Sequence, residues 1–160
     1  MDIEIVDPAL RAATLKLPAT DPSKAWLRAV IRIATRVMRV PRVEGVEVST
    51  VKADGARIRL YTPGERRGDG ALFWVHGGGL LFGDARQDEA FCAGTASELG
   101  IPVVSANYRF APEHPFPAPF DDVYGAWLWL QSQAAKLGVD PDRVVVAGES
   151  AGGGLAASLV

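Results

Sequence analysis

Histidine and cysteine are almost missing from this chain. Two His and one Cys in 160 residues cannot build a zinc-type Cys/His cluster. A single cysteine, Cys92, cannot close an internal disulfide, which fits a reducing compartment. Its expected role is a small buried hydrophobe on a helix. Net charge is only −2, so no global field draws the chain to nucleic acid. No apolar run approaches the roughly 18 residues of a membrane span. The N-terminus, Met1-Asp2-Ile3-Glu4-Ile5, lacks a basic segment followed by an apolar core, so it does not read as a secretory signal. A cytoplasmic location is the expectation. Repeats and low-complexity tracts are also absent.

What is present suits one globular domain, with 48% hydrophobic and 22% charged residues. Charge is uneven along it: residues 1–45 carry +3 and residues 46–160 carry −5. In the basic part, Trp26, Val30, Ile33 and Val37 recur at helical spacing. Lys24, Arg28, Arg32 and Arg36 stand every fourth residue on another face. That second stripe reads as a solvated face. Asp21-Pro22 marks the expected helix start and Pro41 its end. The apolar stripe has three uses to choose among: a cap over a site, a plain surface, or a helix lying in a lipid interface. The cap ranks first and the lipid interface last.

After residue 45 the period changes. Segments 46–51 and 57–61 alternate around Asp54-Gly55, the pattern of a hairpin. Apolar strands follow at 71–75, 102–106 and 143–147. Between them lie helices over about 86–99 and 120–137, with a proline-rich loop at 109–119. Strands alternating with helices predict a parallel sheet with right-handed crossovers.

Two short motifs carry chemistry. Gly148-Glu149-Ser150-Ala151-Gly152 follows the strand Val144-Val145-Val146-Ala147. A G-x-S-x-G sequence between strand and helix is a nucleophile elbow, in which a sharp turn holds the serine out where an acyl carbon can reach it. His76-Gly77-Gly78-Gly79 ends strand 71–75. Attack on an ester carbonyl creates an oxyanion, and backbone N–H groups that can approach closely are suitable donors. The N–H after the nucleophile, that of Ala151, completes such a hole. A rival reading of Gly152-Gly153-Gly154-Leu155-Ala156-Ala157 as a dinucleotide loop fails, because the strand has already ended at Ala147. His114 stands beside Pro115 and reads as a loop histidine.

Three stretches, HGGG (76–79), NYRFAPEHPFPAPFDD (107–122) and GESAGG (148–153), resemble the hormone-sensitive lipase (GDXG) family of α/β-hydrolase serine esterases. The likeness runs from about residue 46 onward. It implies an α/β fold: the N-terminal five strands or so of an α/β-hydrolase sheet (46–160), preceded by a helical cap segment (1–45). It implies hydrolysis of small-molecule carboxylic esters through an acyl-enzyme, without a cofactor. Ser150 would be the nucleophile, Gly77, Gly78 and Ala151 the oxyanion donors, and His76 with Gly79 the support of that loop. Glu149 stands where many members have Asp. The family's catalytic Asp and His lie beyond the position of Val160, so the resemblance implies an incomplete triad and little turnover by these 160 residues alone. The alternative is a non-catalytic, ligand-binding protein on the same scaffold. The strand at 143–147 would have an unpaired edge, through which self-association is expected. No nucleic-acid partner is expected.

Overall fold

In the computed structural model, residues 3–16, 21–53 and 55–160 are described. Two short N-terminal helices, α1 (Pro8–Thr14) and α2 (Ala25–Val37), precede a five-stranded sheet. Its strands are β1 (Val46–Ala53), β2 (Ala56–Pro63), β3 (Ala71–Val75), β4 (Val103–Asn107) and β5 (Val144–Gly148). Helix α3 (Glu89–Leu99) links β3 to β4, with a 3-10 turn (Ala85–Asp88) ahead of it. Helix α4 (Ala118–Leu137) links β4 to β5, and α5 (Ala151–Ala157) follows β5.

The spatial order is β1-β2-β4-β3-β5. β3, β4 and β5 are parallel, as the alternation of strand and helix predicts. The hairpin adds an antiparallel extension, with β2 pairing β4 from Arg57 opposite Asn107 to Tyr61 opposite Val103. The sheet is therefore mixed. The hairpin register runs from Val46 opposite Pro63 to Ala53 opposite Ala56. Asp54, half of the expected turn, lies outside the described residues, as do Met1 and Asp2 of the N-terminal segment.

Helices cover both faces because the strands are apolar on both. Ile58, Phe73, Val75, Val104 and Ala106 pack with Val123, Ala126 and Leu130 of α4. On the other face, Tyr61, Leu72 and Val103 pack with Cys92, Ala93 and Ala96 of α3. Fully burying a side chain such as Phe73 is worth about 1.5–3 kcal/mol, so these two layers hold the strand ends in place. Cys92 is a buried packing residue on α3, and burial pushes its thiol pKa well up. β3 is enclosed by β4 and β5, whereas β5 has a partner on one side only among the described residues, and Val145 is 63% exposed.

Helix α2 lies the other way round from the sequence expectation. Its apolar stripe of Trp26, Val30, Ile33 and Val37 faces solvent. The inward face carries Leu27, Arg28, Ile31, Arg32 and Thr35, and Arg28 is buried. The reason is hydrogen bonding. Arg28 donates to the carbonyls of Pro22 and Ser23, at 2.8 Å each. Arg32 spans three acceptors on the body of the protein. Periodicity sorts residues onto faces but does not tell which face has carbonyls waiting for it. The helix also starts later than expected, at Ala25, and the Asp21 carboxylate accepts from the Ser23 amide and hydroxyl in the turn ahead of it.

Candidate active site

At the end of β5 the chain turns sharply into α5, and Ser150 occupies the turn with φ 52° and ψ −118°. A non-glycine residue there is strained by about 1–3 kcal/mol, and such strain persists only where the surroundings enforce it. Here they do. Glu149 N–H donates to Val75 O at 3.1 Å, and Gly152 N–H donates to Glu149 O at 2.8 Å. Gly152 presses on the end of β3, where a Cβ would lie 2.7 Å from the Val75 carbonyl carbon and closer still to the Val75 and His76 oxygens. The serine is exposed, and among the described residues its hydroxyl has no hydrogen-bond partner.

The loop after β3 lies against this turn. A Cβ on Gly77 would be 3.6 Å from Ser150 Cβ and 3.2 Å from Glu149 O. The Gly77 carbonyl points inward, where His76 Nδ1–H and Tyr108 O–H reach it at 2.7 and 3.4 Å. The Gly78 carbonyl accepts from the amides of Leu81 and Phe82. Gly78 has φ 125°, and Phe82 O occupies the place of a side chain, so only glycine fits. With both carbonyls engaged in the loop, the N–H groups of Gly77 and Gly78 donate to no backbone acceptor among the described residues. The N–H of Ala151, at the first position of α5, has no acceptor within its own helix. Unpaired amides at Gly77 and Ala151 therefore lie beside an exposed serine, with that of Gly78 next along the loop, an arrangement chemically suited to holding an oxyanion.

His76 is fully buried and stacked on Tyr108, with ring centroids 4.4 Å apart. Its bond to Gly77 O puts the proton on Nδ1, and burial lowers its pKa. It is a neutral strut beneath the loop and makes no bond to Ser150. Tyr108 O–H also donates to His76 O at 2.9 Å. Gly79 is exposed at the tip of the loop, with φ 61°. His114 is exposed and lines a separate cleft of about 370 Å³ that includes Arg32, Arg57 and Asp122 but not Ser150. Below the elbow, Trp74 Nε1–H donates to Asp88 at 2.7 Å. Burial raises the Asp88 pKa, and the Glu149 charge adds to the rise.

Two supports were invisible in the sequence. Arg32 of α2 donates to Leu81 O at 2.7 Å, to Ala111 O at 2.9 Å and to Glu113 at 2.9 Å, and lies over the Phe110 ring. It ties the N-terminal helix to the glycine loop and to the proline-rich loop at once. Its pairing holds the Glu113 carboxyl down at about 2. Arg109 grips Asp122 through its guanidinium at 2.8–3.1 Å and through its backbone N–H at 2.8 Å, which closes the proline-rich loop onto the start of α4. The only available signal was the motif spanning 107–122; nothing in its spacing names the pair.

Beside Ala151 lies an apolar cavity of about 580 Å³, walled by Leu80, Phe116, Phe120 and Leu155. No group of three or more His, Cys, Asp or Glu side chains among the described residues is placed to hold a metal ion. No helix among them is long and apolar enough to cross a membrane.

The family model for the alpha/beta hydrolase fold matches residues 72–160. Arylacetamide deacetylase of Oryctolagus cuniculus is 41% identical over 140 residues, covering 81% of this chain and 34% of that protein. Carboxylesterase NlhH of Mycobacterium tuberculosis (strain ATCC 25618 / H37Rv) is 34% identical over 165 residues, covering 96% of this chain and 50% of that one. Among solved structures, a bacterial heroin esterase superposes with a TM-score of 0.78 at 37% identity, covering 99% of this chain and 53% of its own. An esterase from the bacterial hormone-sensitive lipase family gives 0.69 at 27% identity, covering 92% of this chain and 47% of its own. The chain thus spans about a third to a half of the length of these relatives.

Proposed function

From the premise that the chain belongs to the alpha/beta hydrolase family, in its hormone-sensitive lipase branch, we propose that it carries the nucleophile and oxyanion half of a serine carboxylesterase site. The observation that carries this reading is the strained, exposed Ser150 flanked by the unpaired amides of Gly77, Gly78 and Ala151. Ser150 Oγ attacks the ester carbonyl carbon. The carbonyl oxygen becomes an oxyanion and is held by the three amides. Collapse expels the alcohol and leaves an acyl-serine, which water then cleaves. Both steps need a base, because a neutral hydroxyl is a weak nucleophile. His76 is locked to Gly77 O, and His114 lines a different cleft, so neither serves. The base and its orienting acid are therefore supplied by residues other than those described.

The cavity beside Ala151 is apolar, so one side of the substrate is an aliphatic or aromatic group. An arylacetamide deacetylase and a carboxylesterase among the relatives agree with an ester-hydrolysing site. Residues 1–45 act as a cap segment, docked through Arg32, and residues 46–160 form the hydrolase unit. No cofactor enters this chemistry.

The test is hydrolysis of p-nitrophenyl butyrate. The 160-residue chain alone is expected to turn over weakly or not at all. Complementation with the C-terminal part of a relative such as the Mycobacterium carboxylesterase is expected to restore a rate that Ser150→Ala abolishes. Robust hydrolysis that survives Ser150→Ala would sink the proposal. A second reading, ligand binding without turnover, is favoured by one observation: the Ser150 hydroxyl has no base beside it among the described residues. It predicts saturable binding of the ester with no product under any complementation.

A further inference from the structure

Arginines crowd the ground between the C-terminal end of α2 and the β1–β2 hairpin. A small cavity of about 130 Å³ there is lined by Arg36, Arg57, Arg59 and Arg86, with Asp84 as its one carboxylate. It shares Arg59 and Arg86 with a wider cavity that adds Arg39 and Arg42. Of the acids lining the two cavities, Asp84 and Glu89 are already committed, and Glu44 belongs to the wider cavity alone. Glu89 takes both arms of the Arg59 fork, at 2.5 and 2.6 Å, and the Tyr61 hydroxyl. Asp84 takes Arg57 at 2.5 Å and the Arg86 backbone N–H at 3.1 Å. Arg36 has no side-chain partner among the described residues. The Arg86 side chain meets only a carbonyl, that of Met38, and its Nε–H is buried without an acceptor. This surplus of positive charge is local, in a chain whose net charge is −2.

We propose that this cavity binds a compact oxyanion of phosphate size. Arg36, Arg57 and Arg86 come from three elements, α2, β2 and the 3-10 turn before α3. Guanidinium groups from separate elements suit a tetrahedral anion better than a planar one, because its oxygens point in different directions and can meet several donors at once, while Arg57 keeps one arm on Asp84. A water takes about 30 Å³ in the liquid, so the space of about 130 Å³ holds roughly four waters, which is room for one compact anion of phosphate size. A polyanion would demand an open basic stripe, which a small cavity walled partly by Asp84 does not offer. The site is distinct from the elbow. β2 and β5 are separated by β4 and β3, three strand spacings or about 14 Å. The consequence is mechanical: the anion ties α2 to the sheet, as Arg32 ties it to the two loops.

The experiment is calorimetric titration of the 160-residue chain with inorganic phosphate against sodium chloride at equal ionic strength, repeated with phenyl phosphate. We expect saturable binding of one phosphate per chain, a thermal midpoint that rises with phosphate concentration, and a loss of about tenfold or more in affinity for Arg36→Ala. Arg36 is exposed, so this variant keeps its fold. Tighter binding of phenyl phosphate identifies a phosphorylated small molecule as the natural source; binding of inorganic phosphate alone identifies the free ion. Heats that match chloride, or phosphate affinity unchanged in Arg36→Ala, would overturn the proposal. Neither readout depends on ester hydrolysis, so failure here is separable from failure of the esterase reading.

Discussion

Two glycines of the same short helix should respond to alanine with opposite signs. Gly152 and Gly154 both lie in α5, and in helical propensity alone each change to alanine favours the helix by about 1 kcal/mol. Gly154 is exposed, and a Cβ there meets nothing within 4 Å, so the full gain is expected. At Gly152 a Cβ meets the Val75 and His76 oxygens and the Val75 carbonyl carbon, all inside the 3.0 Å that real Cβ atoms respect. These are backbone atoms at the end of β3 and cannot rotate aside. Either α5 lifts or β3 moves, and the Glu149-to-Val75 hydrogen bond stretches in both cases. Overpacking against rigid atoms costs about 3 kcal/mol or more, which exceeds the propensity gain and leaves a net loss of about 2 kcal/mol. Urea denaturation reads it directly. With an m-value of about 2 kcal/mol/M, Gly152→Ala should lower the midpoint by about 1 M and Gly154→Ala should raise it by up to about 0.5 M. A Gly152→Ala midpoint equal to or above that of the parent would refute the claim that this crossing sets the elbow.

Other perturbations test the supports. Arg32→Ala should cost about 2 kcal/mol in urea denaturation, from the lost bonds to Leu81 O, Ala111 O and Glu113, and should speed proteolysis within α2. Trp26→Ala, on the exposed stripe, should leave both measurements near the parent values. His76 has its pKa lowered by burial, so below the ordinary histidine range the unfolded chain binds a proton that the folded chain refuses. Stability present above that range should fall as pH drops through it, and the fall between pH 7.5 and pH 5.5 should be smaller in His76→Gln. Glu113 is depressed in the folded state, so what its pairing with Arg32 contributes is present above the usual carboxylate range and is lost as pH falls toward 2. Finally, among the described residues β5 pairs on one edge only, and a second copy of the chain can add to the other; light scattering should show association that Val145→Lys diminishes.

The sheet was legible because its residues answer to local rules. Val144 to Ala147 read as a strand, and Gly148 to Gly152 as a sharp turn, from composition and spacing alone, and both stand where expected. The parallel order of β3, β4 and β5 followed from alternating elements. Its antiparallel extension did not, because a hairpin carries no statement of which strand it will join. Helix α2 exposes a deeper limit. Its period was correct, yet its orientation was inverted, because apolar character normally decides which face turns inward. Here Arg28 and Arg32 meet carbonyls whose positions depend on turns at 22–23, 81 and 111. Those turns are set by tertiary contacts and leave no periodic trace. The site divides along the same line. The turn at Ser150 and the close approaches at Gly78 and Gly152 are encoded in the motifs, since a Cβ at either glycine would overlap backbone atoms. What holds the loops against each other is Arg32 to Leu81, Arg109 to Asp122 and Tyr108 to His76, and each joins residues whose neighbourhood exists only after folding. The chemistry of such a site is therefore written locally, whereas its rigidity is written in arginines and tyrosines that look, in sequence, like ordinary surface.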